Sequence, residues 1–180
     1  MKYGKNILSI IEDEMSTMPD IDSILATELF IKGQSSIFLA GAGRSGLIAS
    51  MFGMRLMHLG FKVYIVGNVT TPAITSNDTL IIISGSGETS SMVNIAEKAF
   101  KTQCKIILIT ANIQTTLTRL SHITYLIGPM HESRTVGNIL PLTSRFELTA
   151  LTVLEATVLE LMRLMTASDK DMSKNHANLE

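Results

Sequence analysis

The stretch Thr79-Leu80-Ile81-Ile82-Ile83, running into Ser84-Gly85-Ser86-Gly87-Glu88-Thr89-Ser90-Ser91, decides the fold class. Leu80 to Ile83 are apolar without alternation, as in a strand buried on both faces, and such strands belong to parallel sheets covered by helices. The glycines and serines then turn the chain, and a helix is expected over about 88–101. Strand, turn and helix in that order make half of a βαβ unit.

Reading outward, four further short apolar runs have the same texture: Ser36–Ala40, Lys62–Val66, Lys105–Ile109 and His122–Leu126. Helical stretches over about 44–59 and 115–120 alternate with them, so the whole predicts a parallel α/β sheet. Upstream, Ile7, Leu8, Ile11, Met15 and Met18 fall at helical spacing, Pro19 interrupts, and Asp20 can cap a second helix reaching Lys32. Downstream, a long helix is expected over 141–165. Leu151, Leu154, Val158, Leu161 and Met165 form one apolar stripe, and Leu148, Leu159 and Met162 extend it to an adjacent face. Such a helix is covered on two sides, either as a central core helix or as one shared with a subunit interface. The expected organisation is one domain over 1–180, with N-terminal helices 2–32, a sheet core 35–127, the helix 141–165 and a polar tail 166–180.

Composition narrows the function. Of the 180 residues, 46% are hydrophobic and only 17% charged, so apolar surface is left to be hidden against another subunit, and a homo-oligomer is expected. A net charge of −1 argues against nucleic acid and against electrostatic membrane binding. The single Cys104 excludes an intramolecular disulfide framework and a cysteine zinc cluster. No two of His58, His122, His131 and His176 have the spacing of a metal site on one helix. Met1 to Ile11 lacks an apolar signal core and no run is long enough for a bilayer, so a soluble cytoplasmic protein is expected.

Three motifs can carry chemistry. Gly41-Ala42-Gly43-Arg44-Ser45-Gly46 fits G-x-G-x-x-G between a strand and a helix. The carboxylate that would bind a ribose is missing after the second strand, which reads Val66-Gly67-Asn68, and this counts against a dinucleotide. In the 84–91 turn, hydroxyls of Ser84, Ser86 and Thr89, inward N–H groups and a helix N-terminus suit a phosphate monoester. The bland alternative is a serine-rich loop with Ser86 as a helix cap. Ser144-Arg145-Phe146-Glu147 fits a capping box. Glu147 also falls on the apolar stripe, where a partly desolvated carboxylate is a candidate general base for taking a proton from carbon.

Together with Met54-Arg55-Leu56-Met57-His58-Leu59-Gly60, Phe146-Glu147 before the long helix, and the closing His176-Ala177-Asn178-Leu179-Glu180, these motifs resemble the sugar isomerase (SIS) family over about residues 5–180. The resemblance implies a five-stranded parallel sheet in the order 2-1-3-4-5, a homotetramer, no cofactor and no metal. It implies interconversion of a 3-keto and a 2-keto hexose 6-phosphate through a cis-enediol, in the ribulose monophosphate route of formaldehyde fixation. By the same resemblance, Arg44, Ser45, Ser84, Gly85, Ser86, Gly87, Glu88 and Thr89 contact the phosphorylated ketohexose. Glu147 is the catalytic base, and His176, reaching a site from an adjacent subunit, moves protons between substrate oxygens. The chain departs from the pattern at Thr143, where many relatives carry glycine, and at Asn138-Ile139-Leu140. Two alternatives stay open: another phosphosugar isomerase on the same fold, and a phosphosugar-sensing module without catalysis.

Overall fold

A computed structural model of the chain describes residues 2–32, 35–128, 140 and 144–179. The His131 loop and Thr143 lie outside them, as do Asn138 and Ile139. Twelve elements follow one another among the described residues: α1 (Lys2–Thr17), α2 (Ile21–Ile31), β1 (Ile37–Gly41), α3 (Arg44–His58), β2 (Val63–Ile65), β3 (Thr79–Ile83), α4 (Ser90–Lys101), β4 (Lys105–Thr110), α5 (Thr116–Leu120), β5 (Ile123–Leu126), α6 (Ser144–Met165) and α7 (Asp169–Ser173). The five strands form one sheet in the order β2-β1-β3-β4-β5, with every neighbouring pair parallel, as the apolar runs and the family resemblance led one to expect.

The runs fail to alternate because both faces of the sheet are covered. Leu39, Ile81, Ile83, Ile107 and Ile109 point into a core shared with α2, α3 and α6. Their neighbours Phe38, Leu80, Ile82, Ile106 and Leu108 point into a second core under α4 and α5. All five residues of β3 are buried, as befits the middle strand. The edge strands β2 and β5 are shorter and only partly buried, and their apolar content is correspondingly mixed.

Every strand points the same way, so the turns after β1 and β3 emerge together at the carboxyl edge, beside the start of α6. The long helix is a core element, with Phe146, Ala150, Val153, Leu154, Val158 and Leu161 buried against α2 and α3. The segment expected as a plain polar tail carries α7. Ser168 and Asp171 cap it reciprocally, and its one buried residue, Met172, anchors it to the first core. None of the helices among the described residues is long and apolar enough to cross a membrane.

Candidate active site

Two glycine-containing turns build the carboxyl edge in different ways. After β1, Gly41 and Gly46 lie back to back. A Cβ on Gly46 would stand 2.7 Å from the Gly41 carbonyl oxygen, and one on Gly41 would stand 2.7 Å from the Ser45 carbonyl. Gly43 takes φ +56°, a conformation that side chains rarely adopt, and opens α3 directly at Arg44. This turn therefore fixes Arg44 and Ser45 at the first residues of α3.

The turn after β3 is tied to β4. Ser84 donates its N–H to Ile109, and Gly85 accepts from the Ala111 N–H at 3.2 Å. Ser84 is buried at 4% exposure, and its hydroxyl accepts the Gly87 N–H at 3.3 Å. The Ser86 hydroxyl accepts from the Glu88 N–H and lies 3.3 Å from the Thr89 hydroxyl. Gly87 needs its φ of +65°, because a Cβ there would also strike Thr115. Helix α4 starts at Ser90, two residues later than the sequence suggested, with Thr89 at the cap position but its side chain unused for capping. That leaves the Thr89 hydroxyl turned toward Ser86.

These hydroxyls face a cavity of about 210 Å³ lined by Ser45, Ser84, Ser86, Thr89, Phe146 and Glu147, with Ala42, Ile83 and Gly85 completing the wall. Glu147, 7% exposed, stands opposite the serine turn on the first turn of α6. Its carboxylate accepts from Nε of Arg44, so the guanidinium on α3 compensates the buried charge. The capping-box motif suggested only a bond back to Ser144; the partner 103 positions away had no local signal. Phe146 was overlooked as a site residue, although its place on the helical stripe marks it as inward-facing. Its ring packs on Gly85, where a Cβ would come within 2.9 Å, and so couples the serine turn to the residue next to Glu147.

Two of the expected site residues are placed elsewhere. Glu88 is exposed, and its carboxylate accepts the N–H of Thr116 at 2.6 Å, which holds its carboxyl below the usual range. It ties the serine turn to α5 rather than reaching into the cavity. His176 stacks on His58 with ring centroids 5.1 Å apart, while Asn175 donates to the His58 carbonyl. His58 is the last residue of the 15-residue α3, whose first residue holds Glu147. One helix length, roughly 20 Å, thus separates His176 from the cavity of its own chain. Burial, then the neighbouring His176 and Arg55, push the pKa of His58 down.

A buried carboxylate facing a cluster of hydroxyl and N–H donors can take a proton from a carbon acid whose anionic end the donors hold. Among the described residues no three His, Cys, Asp or Glu side chains gather as a metal-binding group.

Known proteins identify the family. A SIS domain family model matches residues 30–159. The 3-hexulose-6-phosphate isomerase of Bacillus subtilis is 35% identical, with both chains covered from end to end. That of Mycobacterium gastri is 36% identical over 97% of this chain and 90% of its own. A crystal structure from Methanococcus jannaschii, reported to imply a 3-hexulose-6-phosphate isomerase function, superposes with a TM-score of 0.79. It shares 35% identity, over 98% of this chain and 96% of the other. By the family-model match and by these relatives, each more than 30% identical over nearly the whole chain, the chain belongs to the SIS domain family.

Proposed function

We propose that the protein is a sugar-phosphate isomerase that interconverts D-arabino-hex-3-ulose 6-phosphate and D-fructose 6-phosphate, the step that serves the ribulose monophosphate route. The observation that carries this reading is the Glu147 carboxylate facing the hydroxyls of Ser84, Ser86 and Thr89 across one small cavity. The relatives named for this reaction match nearly the whole chain.

The phosphate displaces the bonds that Ser84, Ser86 and Thr89 now make within their own turn, and takes over the hydroxyls and the Gly87 and Glu88 N–H groups. Anchored there, the sugar extends toward Glu147. The carboxylate takes the proton from C2 of the 3-ketose, leaving a 2,3-enediolate, and returns it to C3. The hydroxyl proton moves from O2 to O3 in the same cycle, so atoms balance without an external oxidant. Arg44 and the Ser45 hydroxyl supply positive charge and a donor beside the carboxylate and the developing enediolate. His176 works on the oxygens from a neighbouring subunit of a cytoplasmic homotetramer, consistent with its distance from the cavity of its own chain.

Incubation with fructose 6-phosphate in D2O, followed by proton NMR, tests this reading. Deuterium should enter C3 of fructose 6-phosphate, with 3-hexulose 6-phosphate formed and C1 untouched. Exchange at C1 would instead mark an aldose–ketose isomerase. Binding without any exchange would mark a phosphosugar sensor.

A further inference from the structure

Three carboxylates are buried among the described residues: Glu14, Asp78 and Glu147. Asp78 accepts the N–H groups of Ser36 and Thr75 at the amino edge of the sheet, and Glu147 faces the cavity. Glu14 has no part in either. It sits on the 16-residue α1, whose apolar Ile7, Ile10, Ile11 and Met15 are only half-buried. Among the described side chains of that helix Glu14 is the single buried one, at 5% exposure. Its carboxylate pairs with the guanidinium of Arg145, on the first turn of α6. An arginine there faces the positive end of the helix dipole, so an anion beside it is favourable. Glu14 also closes on the exit of β5. Gly128 holds φ +59°, and a Cβ there would come 2.8 Å from Oε2 of Glu14.

Arg145, Phe146 and Glu147 are consecutive, and each meets a different element. Arg145 meets α1, Phe146 packs on Gly85 of the serine turn, and Glu147 accepts from Arg44 of α3. Successive residues of an α-helix point about 100° apart. Three such contacts therefore fix how far the turn is rolled about its axis as well as where it lies. From this arrangement we infer that Glu14 is a positioning residue for the isomerase reaction. Acting through Arg145, it sets the roll of the first turn of α6 and so aims the Glu147 carboxylate at the serine turn. A buried ion pair adds little net stability over apolar residues of the same volume, but it is directional. At a side-chain radius of about 5–6 Å, a roll of about 10° carries the carboxylate roughly 1 Å. A misplacement of that size can cost about a hundredfold in rate. The consequence for turnover rests on the proposed isomerase reaction; the three contacts do not.

The test takes out both charges together, because removing one outright leaves the other buried without compensation. Glu14→Leu combined with Arg145→Met keeps the volume apolar and should melt near the wild-type temperature. For fructose 6-phosphate its KM should stay within about twofold, since Ser84, Ser86 and Thr89 are untouched, while kcat falls by about ten- to a hundredfold. Glu14→Gln keeps an acceptor oxygen for Arg145 and should lie between the two in kcat; it carries the test if the paired variant does not fold. Turnover is counted per folded chain, from the fructose 6-phosphate bound at saturation in calorimetry, so a residue that only stabilises the fold would leave it unchanged. A kcat per folded chain equal to wild type in either variant overturns the proposal, and so does a KM that rises as far as kcat falls. Hydrogen exchange gives a readout that needs no turnover. Amides 147–150 should exchange faster in the paired variant, or in Glu14→Gln in its place, while those of β3 keep their protection. A wild type without turnover would refute the isomerase reading, and the role of Glu14 in setting the turn would then be decided by those amides alone. Faster exchange there would uphold it, and unchanged exchange would overturn it.

Discussion

The turns after β1 and β3 share a composition and an edge of the sheet, yet they use their glycines for opposite ends. In the first, glycine removes side chains so that backbone can lie on backbone, and Gly41 and Gly46 touch with no space between them. In the second, glycine lets the chain turn donors inward around a cavity, and the nearest obstacle to a Cβ on Gly85 is a side chain, the ring of Phe146. A glycine-rich turn is thus no single signal. One is part of the sheet's joinery, and the other lines the candidate site.

Substitution separates the two most sharply at Gly46. Alanine there meets a carbonyl of the adjoining strand, which cannot move without breaking the β1–α3 junction. Gly46→Ala should cost about 3 kcal/mol and lower the melting temperature by about 6–12 °C. Gly85→Ala meets the ring of Phe146, a side chain rather than backbone, so its melting temperature should fall by less while turnover suffers, because Phe146 adjoins Glu147. Calorimetry and an isomerase assay on both variants check this. Equal losses of stability would erase the distinction.

Next in size is the carboxylate facing the second turn. Glu147→Gln preserves shape and can still meet Arg44, but it cannot take a proton. Turnover should drop by at least about a hundredfold, the lower end for a general base, with substrate still bound. A residue that merely caps α6 would show the reverse, with turnover kept and stability lowered by up to about 1 kcal/mol. Steady-state kinetics beside thermal unfolding decides between them.

A smaller effect belongs to the hydroxyls. One hydrogen bond to a charged phosphate contributes on the order of 1.5–3 kcal/mol. Ser86→Ala should therefore raise the Michaelis constant by roughly tenfold, with little change in turnover. Ser45→Ala, on the compact first turn, should raise it less. Unchanged affinity in the Ser86 variant would remove the phosphate from the second turn.

How far the sequence foretells these contrasts depends on whether the partners are local. The strands were legible to within a residue or two because burial on both faces leaves unbroken apolar runs, and Thr79–Ile83 matches β3 at both ends. The serine turn was legible because hydroxyls, glycines and a helix start lie within eight residues. Pairings across the chain were not. Glu147 meets Arg44 from 103 positions away, and His176 stacks on His58 from the other end of the chain. Glu88 reads as a ligand in the motif but is taken by the Thr116 N–H, a competitor that no pattern in the turn announces. Helix α7 escaped notice for another reason. Its capping box Ser168–Asp171 is readable, but five residues with one buried methionine show no helical period.

The smallest expected effect concerns the edge opposite both turns. The buried His58 has its pKa pushed down, first by burial and then by the neighbouring His176 and Arg55, which disfavours its charged form in the folded chain. A group with a depressed folded pKa contributes stability above its unfolded value, and that contribution is lost as pH falls. Acidification below about 6.5, the ordinary histidine value, should therefore loosen the contact between His176 and His58. The loosening should stay local, because among the described residues Met172, the Asn175 bond to the His58 carbonyl and the stacked histidines hold α7 and the residues after it. Hydrogen exchange followed by mass spectrometry, at pH 7.5 and 5.5 with rates corrected for intrinsic chemistry, should show protection falling over 168–179. The amides of β3 should keep theirs. His58→Phe keeps a ring against His176 but cannot charge, and should flatten the pH dependence of that segment. Loss of protection at the sheet and the tail together would mean that acid acts on the whole fold, and the stacked histidines would then have no separate part in it.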